Sequence, residues 1–153
     1  MKPTFWKLSQ GPEYFSHKEM LDSLTEELVY VHKDTKPMAS SSHSQGSDFV
    51  EASIGDYFYL TNGNQKIYLI GQFMGPANFF SKKGDGWLDR PFRLIFTVVK
   101  DSWYEGEQKW WTPNFNSTFT KIPENELASF EELILTPFFD SKLNQFEIGA
   151  ESE

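Results

Sequence analysis

The stretch SKKGDGWLDRPFR, residues 81–93, holds the most distinctive chemistry in the sequence. Trp87 lies between Gly86 and Leu88. Four basic residues flank it: Lys82, Lys83, Arg90 and Arg93. An aromatic ring stacks on flat ligands, and cations attract negative charge. The stretch therefore predicts a positively charged loop that meets a flat, negatively charged ligand. The alternative is a solvated loop whose lysines only raise solubility.

The charge distribution sets this stretch apart from the rest of the chain. The 153 residues carry 14 Lys and Arg against 22 Asp and Glu, for a net charge of −8. Residues 66–100 nevertheless hold six basic and two acidic groups, whereas residues 101–153 hold three and eleven. Because salt screens charges over about 8 Å at physiological ionic strength, a phosphate near residues 66–100 senses mainly local positive charge. An anionic partner is thus compatible with an acidic protein.

The composition narrows the class of protein. The 15 Phe, 6 Tyr and 5 Trp residues predict one globular domain with an aromatic core. The absence of cysteine excludes disulfides, thiolate catalysis and Cys-based zinc sites. The opening MKPTFWKLSQ lacks the apolar region of a signal peptide, and no apolar run approaches the length of a membrane span. We expect a cytoplasmic protein without a membrane partner.

Motifs for catalysis or metal binding are missing from the sequence. His17, His32 and His43 have no metal-ligand spacing, and Gly84-Asp85-Gly86 lacks the Lys-Ser/Thr of a phosphate-binding loop. There is no Gly-x-Ser-x-Gly nucleophile motif. Asp34 follows a predicted strand end, where a turn residue and a ligand contact remain equally open. We expect a non-catalytic protein with no metal or cofactor.

Runs of apolar residues predict six strands. They lie at residues 4–9, 28–31, 56–61, 66–74, 92–100 and within 102–117, the last ending near Trp111. Asn62-Gly63 is a strong hairpin signal, so the strands at 56–61, 66–74 and 92–100 should be adjacent and antiparallel in one curled sheet. The strand at 92–100 is apolar on both faces, which predicts a central position.

Two helices are predicted to flank this sheet. Ser16-His17-Lys18-Glu19 has the form of a capping box and begins a helix that reaches about Thr25. A second helix is predicted over 124–135, with Pro137 as its end. Its apolar face comprises Leu127, Phe130, Leu133 and Ile134. Residues 36–48 have the composition of a polar loop. The whole predicts an α+β fold, a curled mixed β-barrel flanked by helices.

Three stretches resemble the PUA-like group of folds, in particular its EVE and YTH branches. FWKLSQGPEYFS, residues 5–16, is similar to the opening of EVE domains. Residues 70–101 resemble the YTH stretch in which a Gly-Pro strand end leads through an aromatic loop to a strand ending in Lys-Asp. The residues carrying that likeness are Gly71, Met74, Gly75, Pro76, Trp87, Phe92, Lys100 and Asp101. ELASFEELILTPFF, residues 126–139, is similar to the close of the reader domains fused N-terminally to McrB-type restriction GTPases.

The resemblance implies a reader of a modified base. Such a domain accepts a flipped, methylated base of double-stranded DNA in an aromatic pocket and gives a modification-dependent restriction system its specificity. The implied partners are methylated DNA and a fused AAA+ GTPase domain. The resemblance makes residues 1–140 the single EVE/PUA-like domain, and residues 141–153 a weakly structured tail leading to a further C-terminal region.

The resemblance also implies a set of site residues. The pocket would be formed by Trp6, Ser9, Gln10, His32, Asp34 and Trp87. The nucleic-acid backbone would be held by Lys33, Lys82, Lys83, Arg90 and Arg93. The YTH branch carries a cage tryptophan where this chain has His32-Lys33-Asp34.

Three alternatives stay open at the level of sequence. Trp6, like Trp103, Trp110 and Trp111, also suits core packing, because aromatic residues dominate small cores. The domain also suits RNA, which a requirement for the 2′-hydroxyl would reveal. A protein-interaction module built on exposed aromatic residues is the third alternative, and it would lack the steep salt dependence of phosphate contacts.

Overall fold

The computed structural model describes residues 3–35 and 45–146, which form an α+β fold on one curled, six-stranded mixed sheet. The strands are β1 Phe5–Ser9, β2 Leu28–His32, β3 Tyr57–Thr61, β4 Ile67–Phe73, β5 Trp87–Thr97 and β6 Phe119–Lys121. Their order across the sheet is β2-β5-β4-β3-β1-β6. Strands β1 and β3 are parallel, and all other neighbours are antiparallel. The predicted curled mixed sheet is confirmed as a half-barrel.

Strand β5 determines the curl because it pairs with a different neighbour along each half of its length. Residues 87–91 pair with β2, and residues 92–97 pair with β4. Pro91, which has no N–H to donate, lies where the pairing changes. The second half of β5 has exposed positions such as Leu94, so of the strand predicted at 92–100 to be buried on both faces only residue 92 is buried.

The hairpin and the first helix follow the sequence signals closely. Strands β3 and β4 join through the turn at Asn62-Gly63, as predicted, and β4 and β5 are antiparallel neighbours. Helix α1, His17–Glu26, begins with the predicted capping box: the Ser16 side chain accepts from Glu19 N–H, and the Glu19 carboxylate accepts from Ser16 N–H. A short helix α2, Gln45–Glu51, replaces the last part of the predicted polar loop. Residues 36–44 of that loop, with His43, lie outside the described residues.

Each face of the sheet supports its own core. Successive residues of β3 alternate between them: Phe58 and Leu60 join the core under α1 and α2, whereas Tyr57 and Tyr59 join the core under the C-terminal helical segment. Burial on both faces explains why β3 and β4 are buried throughout. Within the described residues, no helix is long and apolar enough to cross a bilayer.

The C-terminal helical segment runs from 124 to 139 and passes through the predicted stop. It comprises a 3₁₀ turn Glu124–Glu126, helix α3 Leu127–Phe130, a π-helical stretch Glu131–Leu135 and helix α4 Thr136–Phe139. Leu127, Phe130 and Ile134 are buried, as predicted. Pro137 does not end the segment, because the π-helical stretch before it changes the hydrogen-bond spacing that a proline would otherwise interrupt.

Two further predictions are wrong. No strand forms within 102–117, where turns and irregular chain lead to β6. Residues 141–146 of the predicted tail are ordered against the core. They contain a 3₁₀ turn, Leu143–Gln145, and the Phe146 ring packs on Phe5 and Tyr57 at centroid distances of 4.9 and 5.0 Å.

Arg90 braces the point where β5 bends and is 1% exposed. Its guanidinium donates to three main-chain carbonyls: Gly75 at 2.9 Å, Phe49 at 2.9 Å and Ala52 at 2.6 Å. It also lies over the Phe73 ring, 4.3 Å from the centroid. The prediction that Arg90 contacts a ligand's phosphates is therefore wrong, because its guanidinium is buried and bonded to carbonyls inside the protein.

We expect Arg90→Met to lower the free energy of unfolding by about 3–5 kcal/mol, because it strands three buried carbonyls without donors. Arg93→Met is the matched control: Arg93 is exposed, and its side chain donates to Gln72 Oε1 at 2.7 Å. Its cost should stay below about 1 kcal/mol. Urea unfolding followed by circular dichroism measures both. Equal losses for the two variants would contradict the bracing role.

Candidate functional site

A cleft of about 720 Å³ opens at one end of the sheet, where β1 and β2 end and β5 begins. One wall is aromatic and is formed by Tyr14, Phe15, Tyr30, His32 and Trp87. The rest of the lining includes the loop 113–118, the polar wall, which joins the irregular chain to β6. Aromatic rings and polar groups in one cleft suit a planar ligand with hydrogen-bonding edges.

Trp87 is the centre of the aromatic wall. Its ring is contacted edge-on by Tyr14, Phe15 and His32, with centroid distances of 5.7, 5.6 and 5.1 Å. Lys83 Nζ lies 5.0 Å from the same ring and donates to the Tyr14 carbonyl at 3.2 Å. Edge-to-face contacts and a cation near the ring fix its orientation. Trp87 is a half-buried strand residue, and the predicted flexible loop ends just before it.

His32 is paired directly across from Trp87 in the β2–β5 ladder. Its Nδ1 accepts the Asp34 main-chain N–H at 3.1 Å, so in the neutral ring the proton is on Nε2. Gly86 lies against this ring with a φ of +82°, and a Cβ there would come within 2.5 Å of His32 Nε2. Only glycine both adopts this positive φ readily and has no Cβ to collide with the His32 ring. Gly86 therefore lets the chain enter β5 tightly enough to place Trp87 beside His32.

Lys7 anchors the polar wall from inside the protein. Its buried ammonium donates to Thr112 O at 2.8 Å, Phe115 O at 2.9 Å and Ser117 Oγ at 2.8 Å. Burial lowers the pKa of Lys7 to about 7. The loop is thus held by a cation on β1, the strand that also contributes Ser9 to the cleft.

Several polar groups of the cleft have unused hydrogen-bonding capacity. Asn64 Oδ1 is buried without a partner within the described chain. The side-chain amide of Asn116 makes no hydrogen bond to any residue in the ranges 3–35 and 45–146. An amide offers both a donor and an acceptor, which is what the edge of a nucleobase requires. Sequence reasoning missed Asn64, Asn116 and Tyr14, because turn residues and an isolated tyrosine carry no positional signal.

Four of the six predicted pocket residues line the cleft: Ser9, His32, Asp34 and Trp87. The other two lie outside its lining. Trp6 stacks on Phe119 at 4.5 Å and donates from Nε1 to Asp56, so it belongs to the core. Gln10 is 1% exposed and its Oε1 accepts the Tyr30 main-chain N–H at 2.8 Å. Its amide nitrogen donates to Ser23 Oγ of α1 at 3.3 Å, so the amide links β2 to α1.

The predicted basic residues do not form one binding face. Lys33 and Lys82 are exposed, and each has a carboxylate nearby: Asp34 at 3.1 Å and Glu26 at 3.7 Å. Lys83 is largely buried beside Trp87. Arg90 is inside the protein, and Arg93 lies six residues beyond Trp87, up to about 20 Å along the strand. Of the five, Lys33 and Lys82 have exposed charges and adjoin residues close to the cleft: Lys33 lies between His32 and Asp34, and Lys82 precedes Lys83.

Among the described residues, no group of three or more His, Asp or Glu side chains is placed to hold a metal ion. No family model and no curated protein matches the sequence. A solved structure, the crystal structure of protein Atu2648 from Agrobacterium tumefaciens, is similar with a TM-score of 0.57 at 11% identity. The likeness covers 92% of this chain and 97% of that chain. At this identity it shows a shared fold alone, and it extends over nearly the whole domain.

Lys7→Met tests the state of the buried ammonium. The folded protein has a Lys7 pKa of about 7 against the ordinary 10.5, so between these pH values only the unfolded chain holds the proton. The pH-dependent part of the Lys7 contribution to the free energy of unfolding is therefore zero below pH about 7, where both states hold the proton. It rises by up to about 1.4 kcal/mol per pH unit and is complete above the unfolded pKa. We expect the wild type to gain stability over Lys7→Met as the pH rises from about 7 to about 9 in urea unfolding. A pH-independent difference would contradict this.

Proposed function

We propose that this chain is a non-catalytic reader of a modified base in DNA and that its half-barrel is of the PUA-like type. The proposal rests on one observation: Trp87, held by three aromatic rings, and the loop 113–118 line the same cleft of about 720 Å³. Clefts of 300–1,000 Å³ with a few fixed polar groups are typical of small planar ligands. The four resemblance-derived residues that line the cleft add support.

The cleft has the two contacts that an extruded base needs. Stacking of a base on an aromatic ring contributes about 1–3 kcal/mol, which offsets the few kcal/mol needed to unstack it. The Trp87 ring supplies the stacking face. The amides of Asn64 and Asn116 and the Ser9 hydroxyl supply donors and acceptors for the base edge. A methyl group on the base gains an apolar contact with the aromatic rings.

Two exposed cations complete the interaction. Lys33 and Lys82 have carboxylate partners near the surface, and such exposed pairs contribute only about 0–1 kcal/mol. A phosphate can therefore replace Asp34 or Glu26 at little cost. With only a few phosphate contacts the affinity of the domain is modest, which fits a specificity module within a restriction system that also contains a GTPase of the AAA+ class.

Trp87→Ala tests the stacking wall. Duplexes of one sequence that carry N6-methyladenine, 5-methylcytosine, 5-hydroxymethylcytosine or no modification are titrated by fluorescence anisotropy. We expect one modified duplex to bind best, and Trp87→Ala to lower that affinity by about 1–3 kcal/mol. Plain duplex should bind almost as before. Trp103→Ala is the control, because Trp103 is 60% exposed and lies outside the cleft lining.

Circular dichroism must show that both tryptophan variants are folded. A folded Trp87→Ala variant that still discriminates fully would overturn the assignment of the cleft. Tighter binding of matched RNA with its 2′-hydroxyls would favour the RNA-binding alternative. The absence of nucleic-acid binding under all conditions would favour the protein-interaction alternative.

The double variant Lys33→Ala, Lys82→Ala tests the phosphate contacts. It should weaken binding of modified and plain duplexes equally, because phosphate contacts carry no sequence information. The slope of log K against log salt should become shallower by about 0.9 for each phosphate that the protein no longer neutralises. Lys121→Ala, at an exposed position on β6, is the control. An unchanged slope in the double variant would show that neither lysine contacts a phosphate.

A further inference from the structure

The loop between β4 and β5 presents apolar side chains to solvent. Met74, Phe79 and Phe80 are 52%, 60% and 90% exposed, and Phe80 is the most exposed large apolar side chain among the described residues. Soluble proteins rarely leave two adjacent phenyl rings in water without a partner. This pair is not absorbed by either core or by the cleft.

The exposed rings are carried by a well-ordered loop. Asn78 forms an isolated bridge with Asp89: its N–H donates at 2.7 Å and its carbonyl accepts at 3.2 Å. The Asn78 side chain accepts the Phe80 N–H at 3.1 Å, and the Ser81 carbonyl accepts the Gly84 N–H at 3.3 Å. The main chain on both sides of Phe80 is therefore held by hydrogen bonds of its own loop, and the phenyl ring projects into solvent.

This projection lies in the same loop as Lys83, which contacts the aromatic wall of the cleft. Lys83 in the same loop donates to the Tyr14 carbonyl, and its Nζ lies 4.0 Å from the Phe15 ring centroid and 5.0 Å from that of Trp87. Two residues separate Phe80 from Lys83, so their Cα atoms are at most about 11 Å apart. Lys82, the exposed cation assigned to a phosphate, lies between them.

We propose that Phe80, flanked by Phe79, is a wedge that enters the base stack of the duplex where the cleft has removed a base. The inference rests on the proposed function. Extruding a base leaves a gap in the stack, and proteins that distort DNA insert apolar side chains between base steps. Such a gap exposes the faces of the neighbouring bases and lies beside a phosphate. The protruding phenyl ring would stack on the base faces, and the adjacent cation of Lys82 would contact the phosphate.

A wedge acts on the extrusion of a base and not on the binding of a base that is already free. It matters when the modified base must leave a paired stack, and it contributes little when the base is already unpaired. A residue that only contacts the base or the backbone affects both substrates alike. The test therefore compares one modified strand in two forms: annealed to its complement and single-stranded.

Phe80→Ala should lower the affinity for the paired, modified duplex by about tenfold and that for the modified single strand by less than about twofold. Val99→Ala is the control, since Val99 is exposed and lies twelve residues beyond Trp87, past the far end of β5. A duplex with 2-aminopurine next to the modified base in the same strand, itself paired with thymine, gives a second readout. Its fluorescence should rise on binding of the wild type and rise less with Phe80→Ala at saturation.

The outcomes distinguish a failed wedge from a failed reader. If the wild type binds the modified duplex and Phe80→Ala binds it equally well, the wedge is overturned and the reader function stands. Equal losses on the duplex and the single strand also overturn the wedge and make Phe80 a general contact. If the wild type prefers no modified DNA, the reader function fails and the wedge fails with it.

Discussion

The change of partner along β5 is the constraint on which the rest of the molecule depends. The first half of β5 pairs with β2 over residues 87–91, and its second half pairs with β4 over residues 92–97. The sheet therefore curls into a half-barrel, and the first residue of β5 comes to lie opposite the last residue of β2. That pairing is what brings Trp87 and His32 together. Arg90 holds the bend by tying β5 to carbonyls of α2, of the residue that follows it and of the β4–β5 loop.

The two walls of the cleft are built in opposite ways. The aromatic wall is held by ring contacts and by the close approach that Gly86 permits. The polar wall is irregular chain, and the Lys7 side chain joins three groups between residues 112 and 117. Burying a cation without a carboxylate is costly, and the lowered pKa of Lys7 expresses that cost. In this loop the carbonyls of Thr112 and Phe115 accept hydrogen bonds from Lys7, and the side chain of Asn116 is exposed.

Local signals in the sequence predicted local structure well. Three signals act within a few residues of the chain: the capping box at Ser16, the Asn62-Gly63 turn and the apolar face of Leu127, Phe130 and Ile134. Because distant parts of the chain do not alter such signals, the structure they predict is the structure that forms. Aromatic content misled the prediction at 102–117. Three tryptophans there favour a strand, but the turn chemistry of Pro113 and Asn114 and the hydrogen bonds from Lys7 to the main chain prevail.

The candidate site depends on contacts between residues far apart in the chain, and these contacts cannot be predicted from local sequence signals. Arg90 and Lys82 are both basic residues near Trp87, yet one is enclosed by β2 and α2 whereas the other reaches solvent. Gln10 resembles a base-reading amide but supplies a hydrogen bond that β2 would otherwise lack. The cleft residues Ser9, His32, Asp34 and Trp87 could be named in advance because a resemblance placed them. Asn64, Asn116 and the Lys7 anchor required the three-dimensional structure.

The most direct measurement is an NMR titration that follows the indole N–H signals of the five tryptophans. A short single-stranded oligonucleotide with one modified base is the ligand. If the cleft binds the base, the Trp87 signal moves first and saturates. Trp6 and Trp111, whose indole N–H groups are bonded to Asp56 and Glu126, should hardly move. A stationary Trp87 signal together with a moving Trp103 signal would place the ligand outside the cleft and contradict a base-binding role for the tryptophan wall.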